Sequence, residues 1–147
     1  MTDAVTTLVQ QFEKTYLEHM QGLPIVNTRL QVEAVDFQTF SGHELGVLVT
    51  PWFMNLVLLP TTDEWADSSQ GDTSSIEFPS GSIEFTTCHD EVMGTYLTAV
   101  LFRSVSDLSD QSLARELAQK IMKDLFVQAG GRPLVSRRDL FTGRRAL

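Results

Sequence analysis

Residues 46–60 read GVLVTPWFMNLVLLP, fifteen residues without a charge. Two apolar runs, Val47-Leu48-Val49 and Leu56-Val57-Leu58-Leu59, flank a break at Thr50-Pro51-Trp52-Phe53-Met54-Asn55. A membrane helix needs about 20 apolar residues, and a central proline would weaken a helix this short. The runs suit two buried strands instead, with Pro51 removing a ladder hydrogen bond between them. The Trp-Phe-Met trio then sits at a bend. Either it fills a core corner or, since Met and aromatics suit adaptable peptide grooves, it forms a binding surface.

Working outward, residues 2–20 place Val5, Leu8, Val9, Phe12, Tyr16 and Met20 at helical spacing, and Gly22 with Pro24 ends the pattern. Residues 30–37 alternate as a first strand, with Leu30, Val32 and Ala34 expected on one face. A Ser41-Gly42-His43 turn leads into a strand over 44–50, and residues 56–59 make a third. Residues 61–75 form a polar loop longer than the usual connection, which predicts function or disorder. Ile76-Glu77-Phe78 and Ile83-Glu84-Phe85 flank a Pro79-Ser80-Gly81 turn as a hairpin, and residues 96–102 read as a sixth strand. Ser109 or Asp110 caps a long helix ending at Gly130-Gly131, with an expected buried stripe of Leu113, Leu117, Ile121 and Leu125, joined by Ala114, Ala118 and Phe126.

The fold class is therefore α+β: a single domain over residues 1–131, mainly antiparallel sheet flanked by an N-terminal and a C-terminal helix. Residues 132–147 are expected to form a flexible basic tail. With 147 residues and 42% hydrophobic content, one real core is available. The single cysteine, Cys88, excludes an internal disulfide. No export signal or membrane-length run is evident, so a cytoplasmic protein without stable membrane insertion is expected.

Charge is distributed unevenly. Residues 1–102 hold fourteen acidic residues against Lys14 and Arg29, a net of −12, while residues 103–147 carry +4. An acidic body disfavours nucleic acid and anionic membrane and favours a cationic peptide, although acidity also serves plain solubility. In the long loop Asp63, Glu64 and Asp67 flank Trp65, a combination that can receive arginine through charge-assisted and cation–π contacts. The alternative is an ordinary acidic loop whose tryptophan packs inward.

Catalytic signatures are missing. His19, His43 and His89 are scattered, and Cys88-His89 are neighbours in a strand, so they point to opposite faces. No paired-cysteine, HExxH, phosphate-loop or GxSxG pattern occurs. No enzyme, metal or cofactor is expected, and each histidine reads as structural or superficial.

The PWFMN block and its surroundings resemble the HybE-type nickel–iron hydrogenase assembly chaperones. The similarity extends over residues 27–105, through LQVEAVDF at 30–37, FPSG at 78–81, GTYL at 94–97 and LFRSV at 101–105. It implies a cytoplasmic chaperone that binds the twin-arginine signal of a hydrogenase small-subunit precursor and holds it until maturation is complete, with the large subunit as a possible further partner. On that reading Asp63, Glu64 and Asp67, beside Trp65, receive the arginine pair, and the surface at Trp52, Phe53, Met54 and Asn55 receives the start of the apolar segment. Two rivals stay open: a scaffold that docks on folded hydrogenase subunits and ignores the signal, and a redox or metal-delivery factor using Cys88 with His89.

The C-terminus adds one more motif. Ser136-Arg137-Arg138-Asp139-Leu140-Phe141 resembles a twin-arginine signal, yet six residues follow Phe141 and supply no apolar region. It is either a generic basic tail or a mimic that occupies the signal site.

Overall fold

The two apolar runs become adjacent antiparallel strands, β2 (His43–Val49) and β3 (Met54–Leu59), in a computed structural model that describes residues 2–127. They are apolar on both faces because both faces are covered. Leu45, Val47, Val49, Met54, Leu56 and Leu58 enter one core, and Leu48, Val57 and Leu59 enter a second on the opposite side. The other strands are β1 (Glu33–Phe40), β4 (Thr73–Phe78), β5 (Gly81–Asp90) and β6 (Gly94–Phe102). All pairings are antiparallel, in the order β1-β2-β3-β6-β5-β4.

That order explains the long loop. The chain leaves β3 in the middle of the sheet and restarts in β4 at the far edge, then returns through β5 to place β6 beside β3. At about 4.8 Å per strand the connection must cross some 14 Å before β4 begins. Topology thus supplies a reason for its length besides function or disorder.

Helix α1 (Asp3–Thr15) covers one face through Val5 and Leu8. Thr2 caps it, its Oγ1 accepting from the Val5 amide at 3.3 Å while donating to Glu44 Oε1 at 2.7 Å. A π-turn over Tyr16–Met20 follows, closed by Gly22 at φ +88°. Helix α2 (Gln111–Leu125) covers the other face, and Asp110 is its cap, accepting from the Leu113 amide at 2.8 Å.

Three expectations shift in detail. The α2 stripe is rotated: Ala114, Ala118, Ile121, Met122 and Leu125 are buried, while Leu113 is 42% exposed and Phe126 lies at the rim. The small alanines let the helix sit close to the sheet, and the bulkier leucines fall to the flanks. The first strand starts later, at Glu33, and Leu30 joins the α2-side core whereas Val32 and Ala34 pack on the α1 side. Within β1 the register slips between Val35 and Gln38, where Asp36 takes φ +53°. This bulge interrupts pairing on an edge strand. Finally, Met54 begins β3 fully buried, so the bend itself holds only Trp52 and Phe53.

Residue Gly46 has no room for a side chain. A Cβ there would run into the Phe37 ring, which closes over the strand.

Candidate functional site

The predicted site residues fall at the two ends of β3. At its start, Thr50 shapes the turn: its Oγ1 accepts from the amides of Trp52 and Phe53 at 3.2 and 2.9 Å and donates to the Phe53 carbonyl at 3.1 Å. Pro51 cannot donate, and its carbonyl accepts from the Asn27 amide at 2.7 Å. The turn pushes Trp52 against Tyr16, rings stacked at 6.2 Å and 13°, while Phe12 packs edge-on against Phe53 at 5.7 Å. Trp52 and Phe53 are half-buried; Met54 and Asn55 are buried. The Oδ1 of Asn55 has no hydrogen-bond partner among the described residues. On the segment between Tyr16 and Asn27, both of which touch this corner, Leu17, Leu23 and Ile25 are 64%, 43% and 63% exposed.

Asn27 anchors the corner from beneath. Its Nδ2 donates to the carbonyls of Val105 and Leu108 at 2.9 and 2.8 Å, and its Oδ1 accepts from the Arg29 amide at 3.0 Å.

At the other end of β3 the acidic loop is held by two histidines. The Nδ1 of buried His43 accepts from the Thr61 amide at 3.0 Å, which leaves the proton of the neutral ring on Nε2, 3.5 Å from Glu64 Oε1. His89 Nε2 lies 2.7 Å from the Ser68 carbonyl, an acceptor only, so this nitrogen donates and Nδ1 meets Thr95 Oγ1 at 3.0 Å. Trp65 packs inward on the core beside His43, ring centroids 5.1 Å apart. Asp63, Glu64 and Asp67 are all exposed. Glu64 turns to His43, whereas Asp63 and Asp67 have no cation partner among the described residues.

A groove crosses this end. One part, about 220 Å³, lies between Asp63, Trp65, Pro60 and Met93. It continues past Pro60, Met93 and Thr95 into a second part of about 300 Å³, bounded by Asp3, Leu59 and Val92. The part beside Asp3 exposes mainly apolar groups and the part beside Asp63 mainly polar ones, so with a carboxylate in each the groove is chemically suited to a cation on an aliphatic stem.

The structure therefore separates what one ligand was expected to join. The acidic and aromatic ends stand a strand length apart, about 20 Å for six residues. Residues 136–141, the expected mimic, lie outside the described residues. His43, His89, Asn27, Asp3 and Met93 were not expected as site residues. Their partners are distant in sequence, up to eighty-one residues for Asn27, so local spacing carries no signal for them.

Two ionisable groups are perturbed with clear causes. Burial pushes the Glu33 carboxyl up, but the hydrogen bonds from Arg115 (2.8 Å) and Gln111 (2.8 Å) outweigh it and hold the group below its ordinary 4.5. This pair fastens α2 to the start of β1. Burial raises the Tyr96 phenol, helped by neighbouring Cys88 and Asp90. Besides its interaction with Tyr96, Cys88 makes weak contacts, 3.8 Å to Thr98 Oγ1 and 3.9 Å to the Thr86 carbonyl. Among the described residues no three His, Cys, Asp or Glu side chains gather to hold a metal, and no helix is long and apolar enough to cross a membrane.

Comparison with known proteins locates this arrangement. The family described as "[NiFe]-hydrogenase assembly, chaperone, HybE" matches residues 3–145, a span that takes in the bend, the acidic loop and the C-terminal arginines. A protein named probable rubredoxin HupJ, from Rhodobacter capsulatus, is 40% identical over 123 residues, which cover 83% of this chain but 44% of that protein. The chain thus spans less than half of that relative. With one cysteine it cannot supply the four thiolates of a tetrahedral iron–sulfur site. The hydrogenase expression/formation protein HupT of Azotobacter chroococcum mcd 1 is 34% identical over 95% of this chain and 93% of its own length. The solution structure of HybE from Escherichia coli superposes with a TM-score of 0.69 at 23% identity, covering 99% of this chain and 93% of that one, and so shares the fold.

Proposed function

The chain belongs to the HybE family of nickel–iron hydrogenase assembly chaperones, and from that premise we propose that it binds the twin-arginine signal segment of a hydrogenase small-subunit precursor in the cytoplasm and holds it until maturation is complete. The observation that carries this reading is the groove at the acidic end of β3, where Asp63 and Trp65 meet Pro60 and Met93 on a lining that is otherwise mainly polar. Arginine stems lie along Pro60 and Met93 while guanidinium groups reach Asp63 and Asp67. The apolar segment that follows runs toward Trp52, Phe53 and the exposed Leu17, Leu23 and Ile25. A ligand touching both ends must extend over at least six residues.

Titration of the full-length protein with such a signal peptide tests this, alongside a peptide carrying two lysines in place of the arginines. Micromolar binding that weakens about tenfold with lysine is expected, because lysine loses the planar, forked contact. Equal binding of both peptides would remove the arginine pair from the account.

A second reading is favoured by the apolar surface at Leu17, Leu23 and Ile25, which suits docking on a folded subunit. A precursor lacking its signal separates the two: full affinity for it identifies the scaffold role. A Cys88→Ala variant that matures hydrogenase normally would dispose of the redox or metal-delivery alternative.

A further inference from the structure

The sheet has two edges, and only one of them is guarded. Along β1 the bulge at Asp36 breaks the pairing line, and Gln111 and Arg115 of α2 bond to Gln31 and Glu33 at its start. Edge strand β4 has neither device. It runs in unbroken register with β5 from Thr73 to Phe78, without a proline or a lysine.

The start of β4 sets the phase of its backbone. The Gly71 amide, on a residue at φ +93°, donates to the Thr87 carbonyl at 2.9 Å, and the Thr87 amide donates to the Asp72 carbonyl at 2.7 Å. This is a glycine bulge, and it puts Asp72 in a hydrogen-bonded pair with Thr87. Counting on by twos, Ser74, Ile76 and Phe78 turn their N–H and C=O groups toward β5, while those of Thr73, Ser75 and Glu77 point away from the sheet. Among the described residues no strand or loop bonds to these outward groups.

The side chains along this edge select its partner. Ile76, Phe78, Ile83 and Phe85 pack in the α2-side core, so Thr73, Ser75, Glu77 and Glu84 occupy the opposite face, where all four are exposed. Glu77 and Glu84 have no cation partner among the described residues. Ser75 lies directly opposite Glu84 and is small. A long side chain from an added strand can therefore lie across it, one strand spacing of about 4.8 Å, and reach that carboxylate.

We propose that β4 accepts an extended peptide strand, antiparallel like every other pairing in this sheet, with arginine or lysine at alternate positions. Its backbone pairs with Thr73, Ser75 and Glu77, and its cations meet Glu77 and Glu84. A second copy of this chain is the other strand an open edge can take, but residues 2–127 carry eighteen acidic residues against six lysines and arginines, so two copies repel. Phe40 and Phe126 pack on Phe78 and limit the new ladder to residues 73–77. None of these residues lines the groove at Asp63, so the proposal stands apart from the signal-binding reading.

The test uses full-length protein and a capped six-residue peptide alternating arginine and valine, with glutamate in place of arginine as the control. On saturation, amide exchange should slow about tenfold at Thr73, Ser75 and Glu77 and stay unchanged at Ser74 and Ile76, the alternation an added strand imposes. Ser75→Pro removes one outward N–H without breaking the ladder to β5, so affinity read at the Thr73 and Glu77 amides should fall about tenfold. The same peptide methylated on its arginine amides, which face β4 in an antiparallel ladder, should lose protection on the unaltered protein, whether or not Ser75→Pro folds. Glu77→Gln with Glu84→Gln should weaken binding several-fold and reduce its salt dependence. No slowing at the three amides at about 1 mM peptide, or equal slowing by the glutamate peptide, overturns the proposal. So does protection present without peptide and lost on dilution, which would identify the edge as an interface between copies.

Discussion

The two ends of β3 are built from opposite chemistry. The Trp52 end is closed by stacked rings and by a threonine that satisfies its own turn, with Asn27 bracing it through buried hydrogen bonds. The loop end is a polar crossover pinned by His43 and His89, with its carboxylates in water. Apolar contacts are indifferent to salt, whereas exposed charges are screened beyond about 10 Å at 0.1 M. A chaperone with one end of each kind can gain rate and selectivity from charge and residence time from burial. The difference also predicts unequal stability: the corner should unfold only with the whole domain, and the loop should open by itself.

The largest effect is expected from Asn27→Ala. It strips partners from the carbonyls of Val105 and Leu108 and from the Arg29 amide at a buried position, costing about 3 kcal/mol. Denaturant unfolding measures this; a loss under 1 kcal/mol would mean the corner does not depend on its brace. His89→Ala should instead act locally. Amides of Ala66, Ser68 and Ser69 would exchange about tenfold faster, with global stability nearly unchanged. Exchange that accelerates equally at the Phe53 amide would erase the distinction between the ends.

The smallest effect concerns pH. Glu33 titrates below its unfolded value, so its stabilisation is fully present above about pH 4.5 and is lost as pH falls through the lower folded value. Arg115 and Glu33 are 42% and 27% exposed, so solvent screening keeps the contribution of the pair small. Glu33→Gln should therefore flatten part of the acid limb of stability while leaving the curve above pH 6 nearly parallel to that of the parent. An unchanged acid limb would show that the pair contributes nothing.

Much of this architecture was legible in the chain because its signals are local. The GVLVTPWFMNLVLLP stretch announces two buried strands and a bend through hydrophobic runs and one proline, and both strands lie in the centre of the sheet. Phase was harder. Leu113 looks like core by size yet is 42% exposed, whereas Ala114 and Ala118, expected beside it, do face inward, together with Met122, which the expected stripe left out. The site was legible only as fragments. Asp63 and Trp65 could be singled out by type, but nothing local indicates that Glu64 turns to a histidine twenty-one positions earlier, or that Asp3 and Met93 complete a groove. Nor does any local signal reveal that the loop owes its length to crossing the sheet toward β4. Contacts between distant segments decide such features, and they exist only once the fold has formed.

The central claim is that the loop end reads arginine and the corner end reads apolar surface. Titrating one twin-arginine signal peptide into Asp63→Asn/Asp67→Asn and, separately, Trp52→Ala, each at 0.05 and 0.5 M salt, tests it most directly. The acidic-loop variant should lose about tenfold in affinity and most of its salt dependence, while Trp52→Ala should lose affinity by a similar factor with the salt dependence intact. Equal salt dependence in the two variants, or undiminished binding in the loop variant, would contradict the division of labour between the ends of β3.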